Sequence, residues 1–298
     1  MTQKTPTLRQ FQARFPTEDA CLDHLFQVRY GVDFDCPKCE RPAKYSRVQG
    51  RRSYQCQWCA HQVYPTAGTP FDRTRTPLRD WFFVMFQFCA SRNGVAAKEV
   101  ERQLGVTYKT AWRMCHMIRE YMGEVDGNEP LGGEGFCVEM DETFIGGRQA
   151  HGKRGGDPAR GKATVFGMME RGGDVITHVV PNRTRATIYP LVAESVLPRS
   201  IVSTDEYRTY DRIGAMPGKG YTHISVNHAA KQYACGVTGA SVNAVEGFWA
   251  NVKRGINGTH IHVSAKHLPK YLGEFEYRWN MRRTPHLMLD RLMVSFVR

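Results

Sequence analysis

The stretch "FCVEMDETFIG", residues 136–146, decides the fold. Upstream of it, apolar residues recur at helical spacing. Here the period drops to two, with Phe136, Val138 and Met140 alternating against Cys137, Glu139 and Asp141, as in a strand with one buried face. A Gly-, Arg- and Lys-rich loop (146–162) leads to "ATVFGMMERGG" (163–173) and "DVITHVVPN" (174–182). These read as two more strands, meeting in a hairpin at Gly172-Gly173. An amphipathic helix near 186–197 and a short buried strand, "SIVSTDEY" (200–207), ending at Asp205, come next. Residues 219–241 are basic and poorly patterned, after which "AVEGFWANVKRG" (244–255) and "KHLPKYLGEFEYRWNMRR" (266–283) have helical spacing. Three antiparallel strands, a helix, a further strand and more helices predict an α/β domain built on a mixed sheet.

The chain has 298 residues, enough for two domains, and 41% hydrophobic residues, enough for a sizeable core. Its formal net charge of +12 points to a polyanionic partner, most often nucleic acid. The longest apolar run, "WFFVMF" from Trp81, is far short of a membrane span, and the first fifteen residues have no signal core. The expected location is the cytoplasm, with the nucleoid, where the nine cysteines stay reduced.

Four of those cysteines form two knuckles, "CPKC" (Cys36, Cys39) and "CQWC" (Cys56, Cys59), sixteen residues apart. Each knuckle aims two sulfurs at one ion, so the spacing predicts a structural zinc ribbon over 33–65, with Gly50 turning a short hairpin. A redox dithiol needs only one such pair. His61 is a bystander; Cys21, Cys89, Cys115, Cys137 and Cys235 read as core residues. Ahead of the ribbon, residues 1–32 are a helical segment, with a helix at 17–29 capped by Thr17. After it, a helix opens with Pro77 in its first turn and buries Leu78, Trp81, Phe82, Met85, Phe86 and Cys89. A short helix over 96–104 then stops at Gly105, and Thr107 caps a second, basic helix with Lys109, Thr110, Trp112, Arg113 and His116 on its outer side. That is the pattern of a helix-turn-helix DNA-binding region within 76–123, in which Tyr108, Lys109, Thr110 and Arg113 are placed to touch DNA. "GEVDGNEPLGGEG" (123–135) reads as a linker, 134–285 as the α/β domain and 286–298 as a tail.

Three carboxylates remain. Asp141 and Asp205 each end a strand, and Glu246 enters from the helix at 244–255. Seven residues, about 10 Å of helix, separate Glu246 from Lys253 on the same face, too far for the usual pairing at three or four. Glu246 therefore looks elsewhere for partners. Crowded carboxylates repel unless divalent cations sit among them, and all-oxygen ligands select Mg²⁺ or Mn²⁺. Two such ions suit in-line attack on a phosphodiester. Taken singly, each residue also has a plain reading: an aspartate at a strand end is often a turn cap, and a lone glutamate on a helix is often just solvated. Glu142 and Glu206 would face away from the cluster. His223, His228, His260 and His262 read as surface or phosphate-contacting residues, and Trp249 as core.

"VEMDETFIGG", "STDEYRTY", "NAVEGFWANVKRGINGTHIHVSAKHLPKYLGEF" and "CQWCAHQVYPTAGTPFDRTRTPLRDWF" resemble the ISXO-like insertion-sequence transposases, over about residues 12–285. The resemblance implies a zinc ribbon and a DNA-binding region ahead of a ribonuclease H-like DDE domain. Asp141, Asp205 and Glu246 would be its catalytic triad, with Lys253 as the associated lysine and Arg254 beside it at the DNA. Some members carry Asn at the third acidic position; this chain keeps Glu246. The expected reaction is cleavage at terminal inverted repeats and transfer of the 3′-hydroxyl to target DNA by a homo-oligomer bound to double-stranded DNA. The rival readings are a non-catalytic DNA-binding regulator and a ribonuclease H-like nuclease acting on hybrids or junctions.

Overall fold

The computed structural model describes residues 4–126, 129–146, 161–226 and 239–297. It separates into two compact units, one holding residues up to Ser91, Val95–Tyr121 and the segment from Arg283 onward, the other Arg92–Gly94 and Met122–Arg282. No helix among the described residues is long and apolar enough to cross a membrane.

In the first unit, α1 (Leu8–Arg14) and α2 (Glu18–Tyr30) are capped by Thr7 and Thr17, the latter accepting from the Ala20 amide at 3.2 Å. A small antiparallel sheet follows, β1 (Tyr45–Arg47), β2 (Tyr54–Cys56) and β3 (Gln62–Val63), with Gly50 at φ +75° in the first turn. Helix α3 (Leu78–Ala90) buries Val84 and Phe88 as well as the expected face. Its first amides are capped from a distance: the Glu18 carboxylate accepts from the N–H groups of Leu78 (2.9 Å) and Arg79 (3.1 Å) while pairing with Arg52 at 2.8 Å. Helix α4 (Ala97–Leu104) stops at Gly105 in the left-handed conformation, and α5 (Tyr108–Val125) begins after Thr107, whose hydroxyl accepts from the Thr110 amide. Arg119, almost fully buried, ties α5 to the Val95 carbonyl at 2.7 Å. Three expectations change here. His116 is buried, its ring centroid 3.7 Å from that of Trp112, because α5 packs on more than half its circumference. The 123–135 stretch is not a plain linker, since α5 runs to Val125 and Leu131–Gly132 forms a strand. The tail folds into a helix, Met288–Ser295, and Phe296 beyond it stacks with Phe71 in the aromatic core.

The second unit is built on a mixed five-stranded sheet in the order β10-β9-β5-β6-β7. Strands β5 (Cys137–Ile145), β6 (Ala163–Glu170) and β7 (Val175–Val180) are antiparallel, with the expected hairpin at Gly172. The short β4 (Leu131–Gly132) pairs with β8 (Val196–Leu197) beyond α6 (Arg185–Ser195). Strand β9 (Ile201–Asp205) lies parallel to β5, and β10 (Thr222–Val226) parallel to β9. Strand β10 falls within the basic stretch 219–241, where the sequence shows little alternation. It is an edge strand with only its last residue fully buried, so alternation barely registers. Val138 and Met140 join the cluster under α6, with Val202 and Tyr210; Ile145 and Val165 join the opposite cluster, under α7 (Asn243–Gly255) and α8 (Leu268–Asn280). Both faces of the sheet are thus covered. Phe136, exposed, lies just outside the strand.

Helix α7 seats itself through Trp249, which is 3% exposed and lies over Gly167 of β6. Gly167 is the cross-strand partner of Asp141, and a β-carbon there would fall well inside van der Waals contact of the indole ring. A side chain at 167 must therefore push the ring, and with it the helix, off the sheet. Gly167→Ala should destabilise the protein by about 1–3 kcal/mol, read from the shift in denaturant midpoint at unchanged slope. A neutral result would show that Trp249 does not fix the helix.

Candidate functional site

The parallel register of β5 and β9 sets the geometry. Glu139 pairs with Ser203, so two residues further along Asp141 comes level with Asp205, the last residue of β9. By strand alternation Glu139 and Asp141 share the sheet face that α7 covers. Glu246 lies in the first turn of α7, exposed, while Val245, Phe248, Trp249 and Val252 are buried.

What holds that first turn is the pair of residues preceding the aspartates. Glu139, 2% exposed, accepts from the backbone amides of Ala244 (2.8 Å) and Val245 (3.3 Å), capping the helix with a negative charge at its positive end. Its other oxygen takes Arg171 Nε at 2.8 Å, and Arg171 also reaches the Ser241 carbonyl at 3.2 Å. From β9, the Ser203 hydroxyl donates to that same Ser241 carbonyl (2.7 Å) and accepts from the Ser241 amide (3.0 Å). Sequence reasoning missed both roles. The partners are separated from Glu139 by 105 and 106 positions, so only the fold joins them.

The aspartates sit among like charges. Burial, then the neighbouring carboxylates of Glu142, Asp205 and Glu246, push the Asp141 carboxyl up to about 7. Glu142 projects from the opposite sheet face, as alternation requires, yet its charge is the strongest repulsion Asp141 feels. Burial raises Glu142 as well, offset in part by the hydrogen bond it accepts from Tyr210 at 2.7 Å, with Arg183 also helping. Glu142 faces away from the cluster, as expected, yet its charge still couples to Asp141. Lys253 and Arg254 are exposed near the end of α7. Lys253 lines a polar pocket of about 280 Å³ with Lys162, Phe144 and Asn257. His223 bonds Thr204 at 2.9 Å across β9 and β10; His260 packs edge-on against Tyr271; His228 and Cys235 lie outside the described residues.

The four cysteines fit a zinc ion. Tetrahedral zinc with sulfur at 2.3 Å needs sulfurs about 3.8 Å apart. Cys36–Cys59 and Cys39–Cys56 stand at 3.6 and 3.9 Å, with all four sulfurs within 4.8 Å of one another. The knuckles close alike, the Glu40 amide donating to the Cys36 carbonyl and the Ala60 amide to that of Cys56, with Glu40 and Ala60 both at positive φ. Among the described residues, Asp141, Asp205 and Glu246 do not meet that 4.8 Å spacing. Cys21, Cys89 and Cys115 are buried as expected, whereas Cys137 is only half-buried at the start of β5. At the first turn of α5, Tyr108 is 50% exposed, Lys109 and Arg113 are exposed, and Thr110 is half-buried.

Residues 130–280 match the ISXO2-like transposase domain and residues 16–62 a transposase zinc-ribbon domain. Over 289 residues, 91% of this chain and 94% of the relative, the chain is 26% identical to an uncharacterized protein in transposable element ISH50 of Halobacterium salinarum. Over 109 residues, 36% of this chain and 80% of the relative, it is 35% identical to an uncharacterized transposase-like protein of Haemophilus influenzae. No solved structure matches the chain significantly.

Two outcomes follow from the geometry. Glu139→Ala strands Arg171 and two helix amides, so unfolding free energy should fall by about 2–3 kcal/mol in chemical denaturation. Burial and the neighbouring carboxylates raise the Asp141 carboxyl from 3.8 to about 7, so its contribution to stability should be present below about pH 4 and lost as pH rises through about 7. Asp141→Asn should flatten that fall in unfolding free energy, read by chemical denaturation across this pH range.

Proposed function

The chain belongs to the ISXO2-like transposase family, and we propose that it binds the terminal inverted repeats of an insertion sequence, cleaves the phosphodiester at each element end and joins the freed 3′-hydroxyl to target DNA. The observation that carries this reading is the parallel register of β5 and β9, which brings Asp141 level with Asp205 on the sheet face under α7, where burial and the charges of Glu142, Asp205 and Glu246 raise the Asp141 carboxyl. A cluster of acids that destabilise one another has a use when a cation neutralises them. The sheet supports a ribonuclease H-like DDE domain: three antiparallel strands, with two parallel strands added on the side of the first.

In this reading Asp141, Asp205 and Glu246 would hold two Mg²⁺ or Mn²⁺ ions, whose charge would activate a water or 3′-hydroxyl and stabilise the leaving oxygen. The protein's own part is positional. Glu139 and Ser203 fix the start of α7, the turn that carries Glu246. Lys253 and Arg254 meet the DNA phosphate near the cut, where a fixed cation offsets the charge brought by the backbone. The two helices around Gly105, with Tyr108, Lys109, Thr110 and Arg113 leading the second, act as a helix-turn-helix at the repeats. The zinc ribbon, folded around its own ion, supports that region. Two ends must be held together for joining, so the active species is an oligomer on DNA.

The test is cleavage of a duplex carrying one element end, with Mn²⁺ or Mg²⁺ added. Wild-type protein should release a 3′-hydroxyl end, and chelation should stop it. Asp141→Ala, Asp205→Ala and Glu246→Ala should each reduce the rate at least a thousandfold, about 4 kcal/mol of barrier, while still binding the duplex in a mobility-shift assay. Unchanged cleavage in Asp141→Ala would overturn the catalytic reading. Preferential cutting of RNA–DNA hybrids would overturn the choice of substrate.

A further inference from the structure

The first turn of α5 forms one wall of a cleft whose other wall is the loop ahead of α3. Arg73 and Arg75 from the loop, and Lys109, Thr110, Trp112 and Arg113 from the helix, line a cavity of about 570 Å³ within the first unit. All four cations are exposed. Among the described residues, none of them lies within ion-pair distance of a carboxylate. By contrast Arg14, Arg47, Arg52 and Arg102 in this unit each have an acidic partner. Four unpaired positive charges around one cleft repel each other.

The loop is held in shape. Between the two arginines, the Thr74 carbonyl accepts from Arg52 at 3.2 Å, and the Thr74 hydroxyl accepts from the Thr76 amide at 3.2 Å and from the Trp81 indole at 3.4 Å. Arg52 is itself fixed by Glu18, the residue that caps α3. Arg73 adopts the left-handed conformation at φ +52°, where a non-glycine residue sits only when its surroundings insist. A pinned and strained loop presenting two free guanidinium groups beside a basic helix start is preorganised for an anion that runs along both walls. The guanidinium fork suits phosphate oxygens, and a phosphate chain contacts several cations at once.

We infer that this cleft is a phosphate clamp, in which Arg73 and Arg75 grip the DNA sugar–phosphate backbone alongside the segment that α5 meets. The inference rests on the reading of α5 as a DNA-contacting helix and extends it to a second wall. The clamp contributes affinity without sequence preference, while Lys109, Thr110 and Arg113 discriminate among sequences.

The test uses the full chain, fluorescence anisotropy and two duplexes of equal length, one of mixed sequence and one taken from the DNA flanking the open reading frame, across a range of salt concentrations. Arg73→Gln with Arg75→Gln should weaken binding to both duplexes about tenfold or more at 0.1 M salt. It should also make log affinity against log salt shallower by about two, since each lost phosphate contact removes about 0.9. The ratio of the two affinities should stay as in wild type. Both arginines are exposed, so an unchanged melting temperature verifies the fold. Unchanged affinity and slope would overturn the clamp, as would a loss confined to the flanking duplex. Lys109→Gln with Arg113→Gln separates this inference from the reading beneath it. A collapse of the ratio is expected there, and a preserved ratio would refute sequence reading by α5 while the salt slope of the arginine variant still judges the clamp.

Discussion

The arrangement of the second unit depends on one cross-strand pair, Glu139 beside Ser203. These two residues hold the backbone at Ser241, Ala244 and Val245, where α7 begins, and each stands two positions before an aspartate at the same level of the sheet. A two-residue step along a strand returns to the same face. The bonds that fix the helix and the side chains that face it are therefore set by a single register. A slip of one residue would turn Glu139 and Asp141 to the other face together. Trp249 on Gly167 adds the second point of attachment, directly across from Asp141. Two points, one polar at the helix start and one apolar a turn later, fix both its position and its rotation.

That rigidity has an electrostatic cost. With the Asp141 carboxyl raised to about 7, the folded state binds a proton more tightly than the unfolded chain. The sign follows: stability from this group is fully present below the unfolded value near 3.8 and is lost as pH rises through about 7. Above that range the crowded carboxylates work against folding.

Much of this was legible in the sequence where the signal is local. Cysteine spacing located the thiolate cluster, Gly105 the end of α4, Gly172 the hairpin, and alternation through Val138 and Met140 the strand that carries Asp141. The parts that were not legible are those written in long-range pairing. Strand β10 joins the sheet only through β9, and its alternation is diluted at the edge. His116 looked polar on a helix whose buried arc is wider than an ordinary amphipathic stripe. The last residues looked like a tail because Phe296 finds its partner Phe71 across most of the chain.

The motif "VEMDET" shows why residue type alone underdetermines function. Its three acids occupy three electrostatic situations within four positions. Glu139 has both oxygens engaged by N–H donors, two from a helix start and one from Arg171, which is what a buried structural carboxylate needs. Glu142 is steadied by Tyr210 and Arg183 and lends its charge to the site from the far face. Asp141 meets mainly other carboxylates. Satisfied acids hold a fold together; an acid surrounded by acids raises the energy of the fold. That difference in partners, more than the recurrence of Asp and Glu, is what sets Asp141 apart from the capped glutamate two residues earlier.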